Sequence, residues 1–406
     1  MLHSPIMHHV VVTGRLDVID MSGRRETYGT GTRPNFTIRL HRRDTALRIA
    51  INPQLAIGEA YKNGDLTLEG GSVYDFLLFM GNNLAKSGPS PFMKVREVCG
   101  FLLRRFMQRN VVWRSRSNVV HHYDLTEEFY DLFLDEDKQY SCAYFAQPSD
   151  DLETAQRRKK QHLAAKLCLR PGLRVLDVGS GWGGLALHLA KEADVIVNGL
   201  TLSTEQYQVA ADRAAKAGMS DRVKFALRDY RDEGGEYDRI VSVGMFEHVG
   251  VPFFGSYFQM ISDRLSVDGV GLVHTIGRTD GPGVTNPFIR KYIFPGGYIP
   301  AISEVLPAIE RAGLVVTDIE VLRLHYAKTL RIWREKFCQN WGRAAELYDE
   351  EFCRMWEYYL AASEVAFRCM GLVVWQIQLA KNQEAVPLTR DYITDFDRDL
   401  EVRQSI

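Results

Sequence analysis

The sequence predicts an α/β protein that combines a doubly wound parallel sheet with a smaller α+β domain before it. From residue 151 onward, helical and strand-like patterns alternate, as expected for a parallel sheet covered by helices on both faces. A glycine-rich turn joins the first strand of this series to its helix, whereas the preceding residues show short strand-like runs. The chain has 406 residues, 46% of them hydrophobic and 25% charged. This composition suits two or three domains and excludes a mainly disordered protein.

The first part of the chain reads as a small α+β domain. Residues 7–57 predict a β-rich segment in which the runs HHVVVTGRLDVID, ETYGTG, NFTIRL and ALRIAI are separated by turn residues. Residues 72–87 predict a helix with Ser72 as its N-cap, which GPSP at 88–91 ends. We therefore expect an N-terminal, lipid- or membrane-associated domain over residues 1–110, with a linker helix at about 92–110, and a catalytic domain over 111–406.

The predicted linker belongs to an arginine-rich segment. Its mixture of arginines and apolar residues is typical of a basic amphipathic helix that lies in a membrane interface. The pattern also fits an interdomain helix with solvated arginines, and both interpretations stay open. The arginines are Arg104, Arg105, Arg109, Arg114 and Arg116, and their apolar neighbours are Phe101, Leu102, Leu103, Phe106 and Trp113.

Charge and cysteine content exclude several classes of protein. The chain has 50 Lys and Arg against 51 Asp and Glu, a formal charge of −1, which excludes a general nucleic-acid binder. None of its six cysteines forms a CxxC pair, so we expect reduced thiols, a cytoplasmic protein and no metal site. No uncharged apolar run approaches the ~20 residues of a membrane span, and no secretory signal is recognisable.

The second domain predicts about seven strands separated by helices. Helices are predicted over residues 151–169, 181–193, 203–218 and 252–265. Strands are predicted over residues 174–178, 194–200, 222–227, 238–243 and 269–277, and near 314–322 and 371–379.

The turn after the first of these strands carries the clearest binding signal. Gly179, Gly181 and Gly184 satisfy GxGxxG, the pattern of a dinucleotide site. A nicotinamide dinucleotide site also needs a carboxylate ~20 residues later, at the end of the second strand, and this sequence has none before Glu205. Asp177 lies two residues before the first glycine, where its charge would repel a pyrophosphate. A tight turn that binds nothing is the alternative.

The spacing Asp177-x-Gly179-x-Gly181-x-Gly183 resembles motif I of class I S-adenosylmethionine (SAM) methyltransferases. SAM carries an ammonium and a sulfonium group, so a carboxylate beside the turn suits it, and glycines let the backbone approach the ligand closely. The Asp-Tyr pair at 229–230 follows the third strand, where this fold usually contacts adenine. These features favour SAM over a dinucleotide.

Read together with the neighbouring blocks, the chain resembles the cyclopropane-fatty-acid synthase family. The first hundred residues lie where bacterial members carry a small lipid-binding-like domain, a match by position and pattern only. The other blocks follow one another in the family's order over about 120–380. They are His122-Tyr-Asp-Leu, Gln139-Tyr-Ser-Cys-Ala-Tyr-Phe145, VLDVGSGWGG, GLTLSTEQ (199–206), RDYRD (228–232), DRIVSVGMFEHVG (238–250), HTIG (274–277), KYIFPGGYIP (291–300) and HYAKTL (325–330).

The resemblance implies a seven-stranded class I methyltransferase fold and a reaction that adds the SAM methyl carbon across a cis double bond of a phospholipid acyl chain. It also implies a bicarbonate ion as the base, peripheral association with the inner face of the cell membrane, and a possible homodimer. Carried over, the residues that hold SAM would be Tyr140, Ser141, Asp177, Gly179, Gly181, Gly183, Thr201, Leu202, Gln206, Asp229 and Tyr230. The bicarbonate cradle would be Cys142, Glu247, His274, Ile276 through its backbone, and Tyr326.

The sequence departs from the family at one position. Where the C-terminal helical region of the family has a cysteine, once favoured as a nucleophile, this chain has Ser363. The difference argues against covalent catalysis from that position, whereas Cys142 is retained. Without the family match, Cys142 and His274 read as core residues, and Glu247 is a candidate because it follows the fourth strand.

Three other functions remain as alternatives. A homologous enzyme could place a methyl or methylene branch on the acyl chain without closing a ring, because the same cation would lose a different proton. A SAM-binding lipid carrier without catalysis is disfavoured by the intact Glu247, His274 and Tyr326. A nucleic-acid amino-methyltransferase would need an Asn/Asp-Pro-Pro-aromatic block where this chain has Glu247-His-Val-Gly250.

Overall fold

The computed structural model describes residues 5–31, 33–88 and 125–396. The predicted linker helix and the arginines of the arginine-rich segment lie outside these residues. The described strands form two sheets, one of four strands within residues 5–88 (the N-terminal unit) and one of seven within residues 125–396 (the C-terminal unit). In the described part of the chain, no helix combines the length and the apolar character that crossing a membrane requires.

The N-terminal unit packs helices against a four-stranded sheet of order β2-β1-β3-β4. Its elements are α1 (Pro5–Val10), β1 (Arg15–Ile19), β2 (Arg25–Gly29), β3 (Asn35–Leu40), α2 (Thr45–Ile51), α3 (Pro53–Lys62), β4 (Leu66–Glu69) and α4 (Val73–Ser87). Strands β1 and β3 are parallel, and the two outer pairs are antiparallel. Leu16, Ile38 and Leu66 from the strands meet Ile49 and Phe76 from the helices in one core.

The predicted β-rich character of residues 7–57 is only partly right. The runs at 15–19, 25–29 and 35–40 are strands, but ALRIAI lies in helix α2, and α1 and α3 are helical as well. Thr45 and Ile49 of α2 are buried while Leu47 is exposed, the burial of a helix with one face on a core. In so short an apolar run, the sequence pattern alone does not separate a strand from a helix.

Helix α4 begins where the sequence predicts. Ser72 Oγ accepts a hydrogen bond from the Asp75 backbone N–H, and the Asp75 carboxylate accepts one from the Ser72 backbone N–H. This reciprocal pair is a capping box, which satisfies two of the backbone donors at the start of the helix.

The C-terminal unit contains the seven-stranded sheet, in the order β10-β11-β9-β8-β5-β6-β7. Its first elements are α5 (Glu127–Asp131), α6 (Leu152–Lys166), β5 (Arg174–Val178), α7 (Gly184–Ala193), β6 (Ile196–Thr201), α8 (Thr204–Lys216), β7 (Val223–Leu227), β8 (Tyr237–Val243), α9 (Phe254–Arg264) and β9 (Leu265–Arg278). The others are α10 (Pro287–Tyr292), α11 (Ile302–Arg311), β10 (Val315–Val321), α12 (His325–Gln339), α13 (Trp341–Leu347), α14 (Glu350–Cys369) and β11 (Leu372–Ala380).

The large sheet is mixed rather than wholly parallel. Strands β7, β6, β5, β8 and β9 pair in parallel, as predicted, but β11 pairs antiparallel with both β9 and β10. Between β10 and β11 the chain forms α12, α13 and α14. The register places Leu372, the first residue of β11, opposite Arg278, the last residue of β9. Because β11 enters the sheet from the carboxyl edge, it must run against its neighbours.

The N-terminal unit contacts the helices that follow β9 and β10. Helix α4 packs on α14, where a Cβ on Gly81 would lie 2.8 Å from Val365 Cγ1. Glu59 on α3 is buried and accepts hydrogen bonds from Lys291 Nζ at 2.6 Å and Tyr292 Oη at 3.0 Å, which lie on α10. Both contacts place the N-terminal unit beside the carboxyl edge of the large sheet, where ligands bind in such folds.

Candidate active site

A cavity of about 890 Å³ lies at the carboxyl edge of the large sheet. Seven of the predicted site residues line it, on the segment before α6, on the turn after β8, on β9 and on α12. They are Tyr140, Ser141, Cys142, Glu247, His274, Ile276 and Tyr326. The other predicted site residues lie at or just beyond the ends of β5, β6 and β7, outside the lining of this cavity.

The glycine turn between β5 and α7 is compact. Gly179, Gly181 and Gly183 have φ values of 89°, 54° and 81°, in the left-handed region that favours glycine. A Cβ on Gly183 would lie 2.6 Å from Phe225 Cζ, so this position also has no room for a side chain. A Cβ on Gly181 would meet nothing within 4 Å. The turn therefore has one side packed on β7 and one side open.

The backbone donors of this turn are directed inward. Gly179 N and Ser180 N both donate to the carbonyl oxygen of Leu200, at 2.9 and 2.8 Å. A dinucleotide turn would instead offer backbone N–H groups to a pyrophosphate. Beside the turn, Asp177 is buried, and burial raises the pKa of its carboxyl to about 7. One of its oxygens, Oδ2, is buried with no hydrogen-bond partner among the described residues.

The predicted site residues that follow β6 and β7 make contacts that stabilise the loops in which they lie. Thr201 Oγ1 donates to Gln206 Oε1 at 2.9 Å, which ties the end of β6 to the first turn of α8. Leu202 lies between these two residues and is half-buried. The Asp229 carboxylate is buried and paired with Arg231 at 2.6 Å, and the ring of Tyr230 packs against that of Tyr257 at 5.4 Å.

Helix α6 holds the segment 139–142, which carries three of the predicted site residues, through hydrogen bonds. Gln156 Nε2 donates to the carbonyl oxygens of Gln139 and Ser141, each at 3.0 Å. Lys159 Nζ donates to Gln139 Oε1 at 2.5 Å and to Ser141 Oγ at 2.9 Å. Lys159 is fully buried, and burial lowers its pKa to about 8. Tyr140, between the clamped residues, stacks on Trp333 at 5.2 Å.

Gln156 and Lys159 are not predicted as site residues by the sequence. Both lie in AQRRKKQ, which reads as the charged face of an ordinary helix. Their three-residue spacing, which places them on one helix face, is the only available signal. This spacing predicts a role only when the segment 139–142 is known to pack on that face of the helix.

Cys142 is placed in the cavity wall as an unreactive thiol. Its side chain is buried, and its Sγ donates to the carbonyl oxygen of Ala143 at 3.4 Å. Burial raises the pKa of this thiol well above its usual value. A thiolate is the nucleophilic form of cysteine, so this environment disfavours nucleophilic catalysis by Cys142.

Glu247 presents one carboxylate oxygen without a partner. Its Oε1 accepts a hydrogen bond from the Ile276 backbone N–H at 2.6 Å, while Oε2 is buried and has no hydrogen-bond partner in the described part of the protein. Burial raises the pKa of this carboxyl to about 7. The Ile276 N–H was predicted to face the bicarbonate ion, but in this structure it is engaged by Glu247.

His274 complements Glu247, because it offers a buried ring nitrogen where Glu247 offers a buried carboxylate oxygen. Its Nδ1 lies 3.2 Å from Gln376 Nε2, and its Nε2 is buried without a partner in residues 5–31, 33–88 and 125–396. If the Gln376 amide donates to Nδ1, the proton of the neutral ring is on Nε2. Burial and the nearby Lys159 and Lys166 lower the pKa of His274 well below its usual range, so the ring is neutral. Gln376, on β11, was not selected from the sequence.

Tyr326 completes the group of polar side chains on this wall. It lies on α12 and is buried, with its ring against Phe367 at 4.9 Å. The remaining lining near these residues is largely aromatic, including Phe294, Tyr298 and Tyr359. Among the described residues, the wall therefore combines an unpartnered carboxylate oxygen, an unpartnered ring nitrogen and a phenol with an otherwise largely apolar surface.

Comparison with known proteins identifies the family. Residues 112–377 match the family model described as mycolic acid cyclopropane synthetase. The chain belongs to this family. Its sequence is 36% identical over 347 residues to the cyclopropane-fatty-acyl-phospholipid synthase of Escherichia coli strain K12, covering 86% of this chain and 88% of that protein. Residues 11–85 match a domain of unknown function, DUF7884.

Members of the cyclopropane synthase family also share the fold. The cyclopropane synthase MmaA2 from Mycobacterium tuberculosis superposes with a TM-score of 0.63 at 34% identity, covering 66% of this chain and 98% of that one. The mycolic acid cyclopropane synthase CmaA1, complexed with SAH and CTAB, gives 0.62 at 35% identity, covering 65% and 97%. The predictions of a class I methyltransferase fold and of a SAM-dependent enzyme are confirmed.

We expect Lys159→Met to weaken SAM binding about tenfold. The substitution removes the buried donor shared by Gln139 Oε1 and Ser141 Oγ, so the segment that carries Tyr140 and Ser141, which are predicted to hold SAM, is no longer held in place. Calorimetric titration with SAM measures the affinity. Arg157→Met, on the exposed face of the same helix, is the matched control and should bind SAM as the wild type does. Equal SAM affinity in both variants would contradict a role of the segment held by Lys159 in SAM binding.

We expect Glu247→Gln to stabilise the protein at high pH. The folded-state pKa is about 7 instead of 4.5, so the folded protein retains a proton that the unfolded chain has lost between these values. The free energy of unfolding therefore falls from about pH 4.5 to pH 7, by ~3 kcal/mol at ~1.4 kcal/mol per pH unit, and stays lowered above. The variant cannot ionise and avoids this loss.

The measurement is thermal melting in bicarbonate-free buffer at about pH 5 and pH 8. The melting temperature of the variant, relative to wild type, should rise between the two conditions. Glu310→Gln, at an exposed position on α11, should show no such rise. An identical pH dependence in wild type and Glu247→Gln would show that Glu247 ionises normally.

Proposed function

We propose that this protein transfers a methylene group from SAM to the cis double bond of unsaturated acyl chains in membrane phospholipids, forming a cyclopropane ring. One observation carries the proposal most directly. Glu247 Oε2 and His274 Nε2 are buried, lack partners within the described residues, and belong to side chains that line the same largely apolar cavity. Unpaired buried polar atoms are costly, so they indicate a bound group that pairs with them.

The chemistry of the reaction explains why such a wall is needed. An alkene is a weak nucleophile, and its attack on the sulfonium methyl group leaves a carbocation on the acyl chain. Ring closure then removes a proton from the newly delivered carbon, so a base must lie within ~3 Å of it and water must be excluded. The buried, aromatic-lined cavity provides the second condition, since the rings of Phe294 and Tyr359 line it. An aromatic face also stabilises a nearby cation.

The residues around Glu247 fit a small oxyanion that carries one proton. The Glu247 carboxylate can accept its O–H, and the neutral His274 ring can donate from Nε2, which matches bicarbonate. Cys142 and Tyr326 line the cavity with them. Bicarbonate, when bound, supplies a base at this wall. Ile276 contributes by holding Glu247 through its backbone N–H, which is a positioning role rather than the direct contact expected from the family.

SAM is assigned to the carboxyl ends of β5, β6 and β7. The open side of Gly181 leaves room for the ligand, and the unpartnered Asp177 Oδ2 offers an acceptor beside the turn. Ser141, which Lys159 holds in place, lines the cavity and is one of the residues proposed to hold SAM. The other residues proposed to hold SAM are Tyr140, Gly179, Gly183, Thr201, Leu202, Gln206, Asp229 and Tyr230.

We further propose a division into an N-terminal, lipid-associated domain over residues 1–110 and a catalytic domain over 111–406. The described contacts of α4 with α14 support two separately built sheets that share an interface. The arginine-rich segment supports peripheral association with the inner face of the cell membrane, where its charge would meet anionic headgroups. A homodimer is part of the same proposal, because two subunits would strengthen weak membrane contacts.

A branched product is the second candidate function. The tuberculostearic acid methyltransferase UfaA1 from Mycobacterium tuberculosis is 40% identical to this chain over 281 residues, covering 66% of each protein. Its name describes a methyltransferase rather than a cyclopropane synthase. The two outcomes differ in which proton the cation loses, and the position of the base relative to the new carbon decides between them.

We expect the purified protein, with SAM and vesicles of monounsaturated phospholipid, to yield lipid that has gained one CH₂. Proton NMR of the product should show the upfield signals of a cyclopropane ring. Vesicles of fully saturated phospholipid are the control and should remain unmodified, because they offer no alkene. Vinylidene or methyl-branch signals would instead support the second candidate.

We expect Glu247→Gln to lower turnover at least ~100-fold while SAM affinity changes by less than ~3-fold. The amide cannot serve as the ionised acceptor that orients the bound oxyanion, and losses of this size are typical when one preorganised electrostatic group is removed. Initial rates and a SAM titration separate the two effects. Glu310→Gln should retain the wild-type rate. A parallel loss of SAM binding would show that Glu247 belongs to the cofactor site.

A further inference from the structure

The cavity extends beyond the wall formed by Glu247, His274 and Tyr326, which we name the catalytic wall. It continues past Ser363 and Ala366 on α14 and Gly81 on α4 into the interior of the N-terminal unit. There it lies among side chains of the sheet and of the helices that cover it. This inner part, which we name the chamber, is lined by residues that include Leu16, Ile38, Ile49, Ala50, Phe76 and Met80.

The chamber is built in a place that side chains normally fill. Leu16 and Ile38 are buried on β1 and β3, and Phe76 is buried on α4, so the space lies between the sheet and its helices. Protein interiors pack closely, and open space inside a small core destabilises the fold. An apolar ligand that fills the space would recover those contacts. The lining residues of the N-terminal unit include no charged side chain and one polar side chain, that of Gln54, which favours an apolar ligand.

Another part of the cavity lining, within the C-terminal unit, is polar. It contains Arg278, paired with Asp280 at 2.6 Å, together with Thr285 and Asn286, and Asp280 is exposed. A phospholipid headgroup must stay in water, so we place it at this part. The acyl chain then passes the wall formed by Glu247 and His274 before it reaches the chamber.

We propose that the chamber in the N-terminal unit receives the methyl-terminal half of the unsaturated acyl chain, and that its depth selects the number of carbons beyond the double bond. This inference rests on the proposed function, because it takes an acyl chain at the catalytic wall as given. Ser363 and Ala366 on α14 line the cavity with small side chains that leave room for a polymethylene chain, beside the close contact of α4 with α14 at Gly81. The N-terminal unit is thereby part of the substrate site.

Ala50 and Leu47 provide a matched pair for the test. Both lie on α2, where Ala50 lines the chamber and Leu47 is 64% exposed. Ala50→Phe should therefore shorten the chamber, whereas Leu47→Phe should add the same side chain on the outside. The substrates are phosphatidylglycerols with myristoleoyl, palmitoleoyl or oleoyl chains, which are identical up to the double bond and differ only beyond it.

The readout is the initial rate of total methylated lipid for each substrate. For Ala50→Phe, we expect the oleoyl rate to fall roughly tenfold relative to the myristoleoyl rate, because a pocket discriminates about that strongly over a few methylene groups. Leu47→Phe should keep the wild-type ratio. Met80→Ala enlarges the chamber and should raise the relative rate for gadoleoyl chains, which extend further beyond the double bond. It tests the proposal even if Ala50→Phe fails to fold.

Two results would overturn the proposal. One is an equal change of rate for all chain lengths in both chamber variants. The other is a dependence on the length of the neighbouring saturated acyl chain rather than of the reacting one, which would assign the chamber to that second chain. A wild-type product that is branched instead of cyclic would overturn the proposed function alone, since total methylated lipid still reports the length preference.

Discussion

The buried ammonium group of Lys159 holds the segment of chain that brings Tyr140, Ser141 and Cys142 to the cavity wall. It lies on α6 with no exposed surface and donates to Gln139 and Ser141, while Gln156 holds the same segment through its backbone. The segment then continues to Cys142, and Ala143 N donates to Thr329 Oγ1 on α12 at 3.1 Å. One short stretch of the cavity wall is thus fixed between α6 and α12.

Desolvation sets the chemical character of that wall. Burial makes Glu247 a weaker acid and His274 a weaker base, so near neutral pH the two do not form a simple ion pair. Each instead keeps one buried atom without a hydrogen-bond partner among the described residues. The cost is paid in stability, because unpartnered buried polar atoms oppose folding, and such sites persist where function requires them. Burial likewise keeps Cys142 protonated, which disfavours a nucleophilic role for this thiol.

Much of the cofactor turn could be predicted from local sequence. The positions of Asp177, Gly179 and Gly183 follow from a strand, a tight turn and a helix that are adjacent in the chain, and their backbone angles agree with that expectation. The strand-to-helix alternation likewise predicted six of the seven strand directions. The reversal of β11 was missed because it depends on where the helices α12 to α14 return the chain. The helical state of ALRIAI was missed because its pattern is short and its burial is set by the sheet beneath it.

The sequence by itself determined the repeated strand and helix units, the glycine turn and the family blocks, since each of these is encoded by residues close together in the chain. Only the tertiary structure decided the partners of distant residues. Gln376 lies beside His274 although the two are 102 positions apart, and the Ile276 N–H donates to Glu247. The tertiary structure also decided the cavity, whose lining includes Ala50 of the N-terminal unit and Tyr326 of the C-terminal unit. Local patterns report which face of an element is apolar, but not which other element that face will meet.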